Sequence, residues 1–137
     1  MVKIYSNVDS TLIHLIHRVE DTGDRKDIVS PDNFIQLATF KLPKNKTFRA
    51  HKHLWKKNSK EKIIAQESWV VIKGSVEVFF YDIDGTYIRS EILNQGDCSV
   101  TLSGGHNYRI LEDDTIVYEY KTGPYNGQQQ DKVFIDE

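Results

Sequence analysis

The sequence predicts an all-β fold of the small barrel or jelly-roll kind. Three observations carry this expectation. Apolar and polar residues alternate with a period of two almost throughout, the pattern of strands with one buried face. The alternating runs are rich in Val, Ile, Tyr, Phe and Thr, residues that suit a pleated, half-buried surface. Turn chemistry separates them at short intervals: Asp84-Gly85 in "YDIDGTY" is a hairpin signal, and "NQGD" and "EDD" read as loops. Many short strands with tight connections point to a sandwich or barrel, and closure into a small barrel or jelly roll removes exposed strand edges.

The elements follow in order. "TLIHLIHRVE" (11–20) can be read as helix or strand, and its β-branched content favours a strand. In "FIQLATFKL" (34–42), Phe34, Gln36, Ala38 and Phe40 alternate with Ile35, Leu37, Thr39 and Lys41. Further strands are expected at 47–53, 67–73, 75–81, 87–93, 98–102, 106–111 and 115–121. The tail "KTGPYNGQQQDKVFIDE" differs: Gly123-Pro124 ends the last strand, and a polar extension follows. Its one apolar patch, Val133-Phe134-Ile135, is expected to pack back on the body or on a second subunit. With no internal repeat or low-complexity segment, residues 1–137 form one domain around a core of about 34–121.

Composition narrows the function classes. A length of 137 residues buries a core without staples. A net charge of -2 argues against nucleic acid as an electrostatic partner. Cys98 is the single cysteine, so no disulfide forms within the chain, which fits a reducing compartment. The start, "MVKIYSNVDS", lacks the apolar run of a signal peptide, and no stretch approaches the roughly 18 apolar residues of a membrane span. The expected location is the cytoplasm.

Chemistry concentrates around "RAHKHLWKKNSKEKIIAQESWVVIKG". On a strand, positions i and i+2 point the same way, so His51 and His53 share a face with Cα atoms about 6.5 Å apart. Both imidazoles can then reach one ion at about 2.1 Å. Glu67 opens the run "ESWVVIKG", where Glu67, Trp69, Val71 and Lys73 share a face. A carboxylate leading an otherwise apolar strand face is costly to bury unless paired or bound to a cation. In "GDCSVTLSGGHNY", His106 follows two glycines that allow close backbone approach. His51, His53, Glu67 and His106 are therefore candidate ligands of one divalent metal, whereas His14 and His17 read as surface or core-edge residues.

These residues resemble the motifs of the cupins. His51-Lys52-His53, then Glu67 and, after six more residues, Gly74, are similar to the first cupin motif; Gly96-Asp97 through Gly104-Gly105-His106 are similar to the second. The resemblance covers about residues 34 to 121 and implies a double-stranded β-helix. Thirteen residues lie between His53 and Glu67, where the family usually has three or four, so "LWKKNSKEKIIAQ" is expected to form a longer hairpin or flap. Asn45 stands at the first motif's leading glycine and can adopt a positive φ. Leu102 replaces the second motif's proline, and His106 sits one residue closer to the glycine turn. The "QE", "GGH" and "GPY" elements resemble a subgroup of small bacterial cupins met near polysaccharide-biosynthesis genes.

Three imidazoles and a carboxylate leave a six-coordinate ion two open positions. Nitrogen and oxygen donors suit iron, manganese, nickel, copper or zinc alike. Nine of the chain's 18 Lys and Arg residues fall between Lys41 and Lys62 against one acid, Glu61. This run is either a solvated basic loop or a positive rim, with Arg49, Lys56 and Lys57, that steers an anionic substrate. On the last strand Glu119 and Lys121 share one face, and Tyr118 and Tyr120 the other. If the charged pair faces inward, it is an acid–base couple near the metal, a candidate for proton transfer. If the tyrosines face inward, they are core and the charges are a surface pair. Tyr125, in "GPY", is expected to cap the barrel mouth. Three functions fit: a small metal enzyme acting on an anionic or sugar-derived metabolite, a metal-free nucleotide-sugar isomerase or epimerase, and a non-catalytic metabolite-binding module. A homodimer is expected for each.

Overall fold

The computed structural model describes residues 1–56 and 64–135. In chain order the strands are β1 (Val2–Tyr5), β2 (Leu12–Ile16), β3 (Arg25–Asp27), β4 (Ile35–Leu42), β5 (His51–His53), β6 (Glu67–Lys73), β7 (Ser75–Tyr81), β8 (Tyr87–Asn94), β9 (Cys98–Thr101), β10 (Gly105–Ile110), β11 (Thr115–Thr122) and β12 (Lys132–Phe134), with a 3-10 turn at Val19–Asp21 after β2 and an α-helical turn, α1 (Gln128–Asp131), before β12. The strands form two five-stranded sheets, β3-β4-β11-β6-β9 and β12-β5-β10-β7-β8, and a separate hairpin, β1-β2. All pairings are antiparallel. Among the described residues no helix is long and apolar enough to cross a membrane.

Strands β4 and β6 to β11 lie within one residue of their expected limits. The strand expected over 47–53 is shorter: β5 spans His51–His53, and Thr47 makes only an isolated bridge to Arg109. The tail, expected as a polar extension, instead forms α1 and β12. Its apolar patch finds a partner within the chain, because β12 adds to the open edge of β5 with Val133 opposite Lys52 and Phe134 opposite His51.

The inner faces of the two sheets change character along the strands, and this gradient positions the site. Val71 on β6 pairs with Val117 on β11, which pairs with Phe40 on β4. Two residues along, Trp69 meets Glu119, and two further, Glu67 meets Lys121, which meets Gln36. In the opposing sheet, β10 runs from buried Ile110 through Tyr108 to His106. One end is therefore an apolar plug in which Phe40, Val71, Val76, Val78, Ile110 and Val117 pack together. Trp69 and Tyr108 lie across the middle, their rings stacked 3.6 Å apart and 4° from parallel. The polar residues occupy the other end.

The tightest corner is Gly74, the single residue between β6 of one sheet and β7 of the other. Its φ is +87°, and a Cβ there would stand 2.3 Å from Thr115 Oγ1 and 3.0 Å from Thr115 Cα. Asn45 takes φ 69° at the position where the resemblance places a glycine. Gly96 also has positive φ, +89°, but open space around it. Gly96→Ala is therefore expected to cost only the left-handed backbone, about 1 kcal/mol, and Gly74→Ala to cost about 3 kcal/mol through strain and steric conflict together. Urea unfolding of both variants checks this; equal costs would mean that Thr115 gives way freely.

Candidate metal centre

His51 and His53 on β5, Glu67 on β6 and His106 on β10 converge from both sheets, and all four are buried. One ligand atom from each lies within 4.8 Å of the others. His53 Nε2 is 2.8 Å from Glu67 Oε2, His106 Nε2 is 3.4 Å from the same oxygen, and His106 Nε2 is 3.2 Å from His51 Nε2. The other ring nitrogens face outward to separate partners. His51 Nδ1 donates to the Arg49 carbonyl at 3.1 Å. His106 Nδ1 meets the hydroxyls of Thr101 at 2.8 Å and Tyr108 at 3.1 Å. His53 Nδ1 lies 3.2 Å from Asp131 Oδ2. Such outer contacts orient imidazole ligands with the remaining nitrogen toward a common point.

The spacing suits a bound cation. Donors about 2.1 Å from one ion stand about 3.0 Å apart at right angles and about 3.4 Å apart in a tetrahedron. The observed separations of 2.8, 3.2 and 3.4 Å fall in that range. Two imidazole nitrogens facing each other beside a carboxylate oxygen are the donor set of a nitrogen- and oxygen-ligated metal.

The electrostatics follow from burial and neighbours. Burial, then His106, push the His51 imidazole down to about 4, so it is neutral near pH 7. Burial also works to lower His53, but Asp131 and Glu67 outweigh it and raise His53 to about 9. Burial works to raise Glu67, whereas His106 and His53 hold its carboxyl well below the usual range. Burial, then the Glu67 charge, raise Glu119 to about 8. Burial and the charges of Glu67 and Glu119 push the Tyr108 phenol well above its ordinary value.

A cavity of about 700 Å³ opens beside this cluster. The charged face of β11 points into it: Glu119 and Lys121 line the cavity, whereas Tyr120 is exposed and Tyr118 meets His17 edge-on. Glu119 Oε2 accepts from Trp69 Nε1 at 2.8 Å, and Trp69 Nε1 also lies 3.1 Å from Glu67 Oε1. Arg49 and Tyr125 line the cavity as well; Arg49 sits 4.1 Å over the Phe134 ring, and Lys121 Nζ 4.6 Å over the Tyr125 ring. Lys56 is not a lining residue, because its ammonium donates to the Pro124 carbonyl at 2.9 Å. Lys57 and most of the expected flap lie outside the described residues. His14 is exposed, and His17 bonds Thr22, so neither joins the cluster.

Several contributors escaped the sequence reading. Asp131 was hidden in the tail, and the only signal was an acid two residues ahead of the apolar patch. Tyr108 stands two residues from His106, so strand alternation alone places it on the inner face, as it places Trp69 with Glu67. Arg25, Lys46 and Lys132 line the cavity from three separate segments, and no local pattern joins them.

Glu119 supplies a pH test on metal-free protein. Its folded pKa is raised, so its favourable contribution is present below the ordinary carboxyl value of 4.5 and is lost as pH rises through about 8. Glu119→Gln mimics the protonated form. It is expected to lie within about 1 kcal/mol of the parent in stability at pH 5 and to exceed it by about 3–5 kcal/mol at pH 8.5. Thermal unfolding at the two pH values checks this, and a uniform loss at both would contradict it.

No protein-family model matches the chain, and no curated protein matches it in sequence. Solved structures do. CapF from Staphylococcus aureus, a capsular polysaccharide assembling protein, aligns at TM-score 0.65 and 18% identity over 96% of this chain and 37% of its own. KdgF from Halomonas sp. aligns at TM-score 0.52 and 20% identity over 82% of this chain and 90% of its own. A Klebsiella pneumoniae protein with a double-stranded β-helix domain aligns at TM-score 0.58 and 12% identity over 89% and 91%. The sheet order described above and this likeness agree: the chain has the double-stranded β-helix fold.

Proposed function

We propose that the chain is a small metal-dependent enzyme that holds one divalent transition metal through His51, His53, Glu67 and His106 and acts on an anionic or sugar-derived metabolite. The observation that carries the reading is the convergence of three buried imidazoles and one buried carboxylate at ligand spacing. When bound, a divalent iron, manganese, nickel, copper or zinc ion would polarise a substrate oxygen or lower the pKa of a coordinated water. The chain's own residues do the rest. Trp69 holds Glu67 and Glu119 together through one indole N–H. Glu119, kept protonated at neutral pH, can donate a proton, and Lys121 stands on the same face as its partner in transfer.

Support for an anion comes from the cavity wall. Arg25, Lys46, Arg49, Lys121 and Lys132 line it against Asp27, Glu67 and Glu119, and Asp27 is already bonded to Arg25 at 3.1 Å. The basic run between Lys41 and Lys62 thus reaches the cavity through Lys46 and Arg49 rather than through Lys56. The likeness to a polysaccharide-assembling protein supports a sugar-derived ligand. A metal-free isomerase or epimerase is the second reading, favoured by one observation: His53 lies between two carboxylates, Glu67 and Asp131, as a charged acid–base group does. Cys98, alone and without a disulfide, accords with a cytoplasmic protein.

Elemental analysis of the purified chain is expected to find about one transition metal per protein, and His51→Ala or Glu67→Ala to remove it while the apolar plug keeps the fold. A neutral sugar should bind less tightly than its phosphate or carboxylate counterpart, and Lys46→Gln with Arg49→Gln should erase that preference. Unchanged metal content in both ligand variants overturns the metal reading. Equal affinity for charged and neutral sugars overturns the anionic one.

We also propose a homodimer through the N-terminal hairpin. With Val133 and Phe134 in β12 and Ile135 N–H bonded to the Ala50 carbonyl, the early strands are left: Ile4, Leu12, Ile13 and Ile16 are exposed on a two-stranded sheet, an arrangement of marginal stability in water on its own. Light scattering at micromolar concentration should give twice the mass of one chain, and Leu12→Lys with Ile13→Lys should halve it. A monomeric parent would refute the pairing.

A further inference from the structure

The segment that closes the barrel edge also reaches the centre. Asp131 ends α1 and is 1% exposed. Its position is fixed by the backbone: Leu54 N–H donates to the Asp131 carbonyl at 2.7 Å, and the next residue, Lys132, pairs with His53 in the ladder. Its side chain lies behind the cluster, with Oδ2 3.2 Å from His53 Nδ1 and 3.4 Å from Lys121 Nζ. The other oxygen, Oδ1, is buried without a hydrogen bond, and the approach of His53 Nδ1 to Oδ2 is a close ion-pair contact that falls short of an aligned hydrogen bond. A carboxylate so placed is expensive to desolvate, and an alternating strand could have been tied to β5 without it.

The three imidazoles are not equivalent in their outer partners. His51 faces a peptide carbonyl and His106 two hydroxyls, all neutral, whereas His53 alone faces a carboxylate. A carboxylate behind a ligating histidine fixes the ring's tautomer and makes its far nitrogen a stronger donor.

We infer that Asp131 is the positioning residue of the metal centre, locking His53 with Nδ1 protonated and Nε2 facing the ligand point, so that the C-terminal segment is part of the metal site. This rests on the metal reading above. The same segment brings Lys132 and Phe134 to the cavity wall, so metal retention and cavity shape share one docking event.

The experiment uses the full chain and Zn²⁺ alone as probe. Competition with a chelator is expected to show Zn²⁺ bound about 10- to 100-fold more weakly by Asp131→Asn than by the parent. The circular dichroism and melting temperature of the metal-free forms report any purely structural effect. A role confined to tethering the tail would lower the metal-free melting temperature and leave Zn²⁺ affinity unchanged, which overturns the inference but not the metal reading. If Asp131→Asn does not fold, ¹⁵N-histidine spectra of the Zn²⁺-loaded parent decide: His53 protonated at Nδ1 bears the inference out, and His53 protonated at Nε2 overturns it. A parent that takes up no Zn²⁺, or any other transition metal offered, overturns both.

Discussion

Glu67 is a charged side chain only 5% exposed in a protein of 137 residues. Taking a carboxylate out of water costs several kcal/mol unless its neighbours replace the lost solvation. Here the replacements come from four strands. His53 and His106 approach one oxygen, Trp69 donates to the other, and Glu119, held neutral, sits beside them. Each of these residues is itself fixed by something further out: His53 by Asp131, His106 by Thr101 and Tyr108, Glu119 by the same indole N–H. The polar end of the barrel is thus one connected network built around a single buried charge.

Such a network needs a frame that does not yield, and the graded inner face supplies it. Moving along β6 from Val71 through Trp69 to Glu67, or along β10 from Ile110 through Tyr108 to His106, the side chain changes from aliphatic to aromatic to ionisable. The stacked Trp69–Tyr108 pair separates the dry plug from the polar layer while presenting an indole N–H and a phenolic oxygen to the latter. Large amphipathic rings suit this boundary, because each presents an apolar body to one side and a polar atom to the other. The plug provides stability that does not depend on the site, which lets the site keep charges that a smaller core would not tolerate.

Alternation, turn chemistry and β-branched content made the barrel strands legible, and residues two apart on a strand share a face whatever the rest of the chain does. That local rule was enough to put His51 with His53, and Glu67 with Trp69 and Val71, on common faces. It left Glu119 and Lys121 undecided, because the alternating pattern of β11 has charges on one face and tyrosines on the other; pairing with β6, where Glu67 and Trp69 already point inward, sends the charges in. It also misread the tail, because a three-residue strand becomes a strand only when an open edge such as that of β5 is present to accept its hydrogen bonds.

The sequence by itself therefore determined the fold class, the limits of β4 and β6 to β11, and the four ligand candidates, since each rests on periodicity or spacing within a short stretch. Only the tertiary structure decided which cations surround the cavity and that Asp131 stands behind His53, 78 positions away along the chain. Long-range electrostatic partners leave no local pattern, for the energy of a buried charge depends on distances in space that the chain sets only by folding.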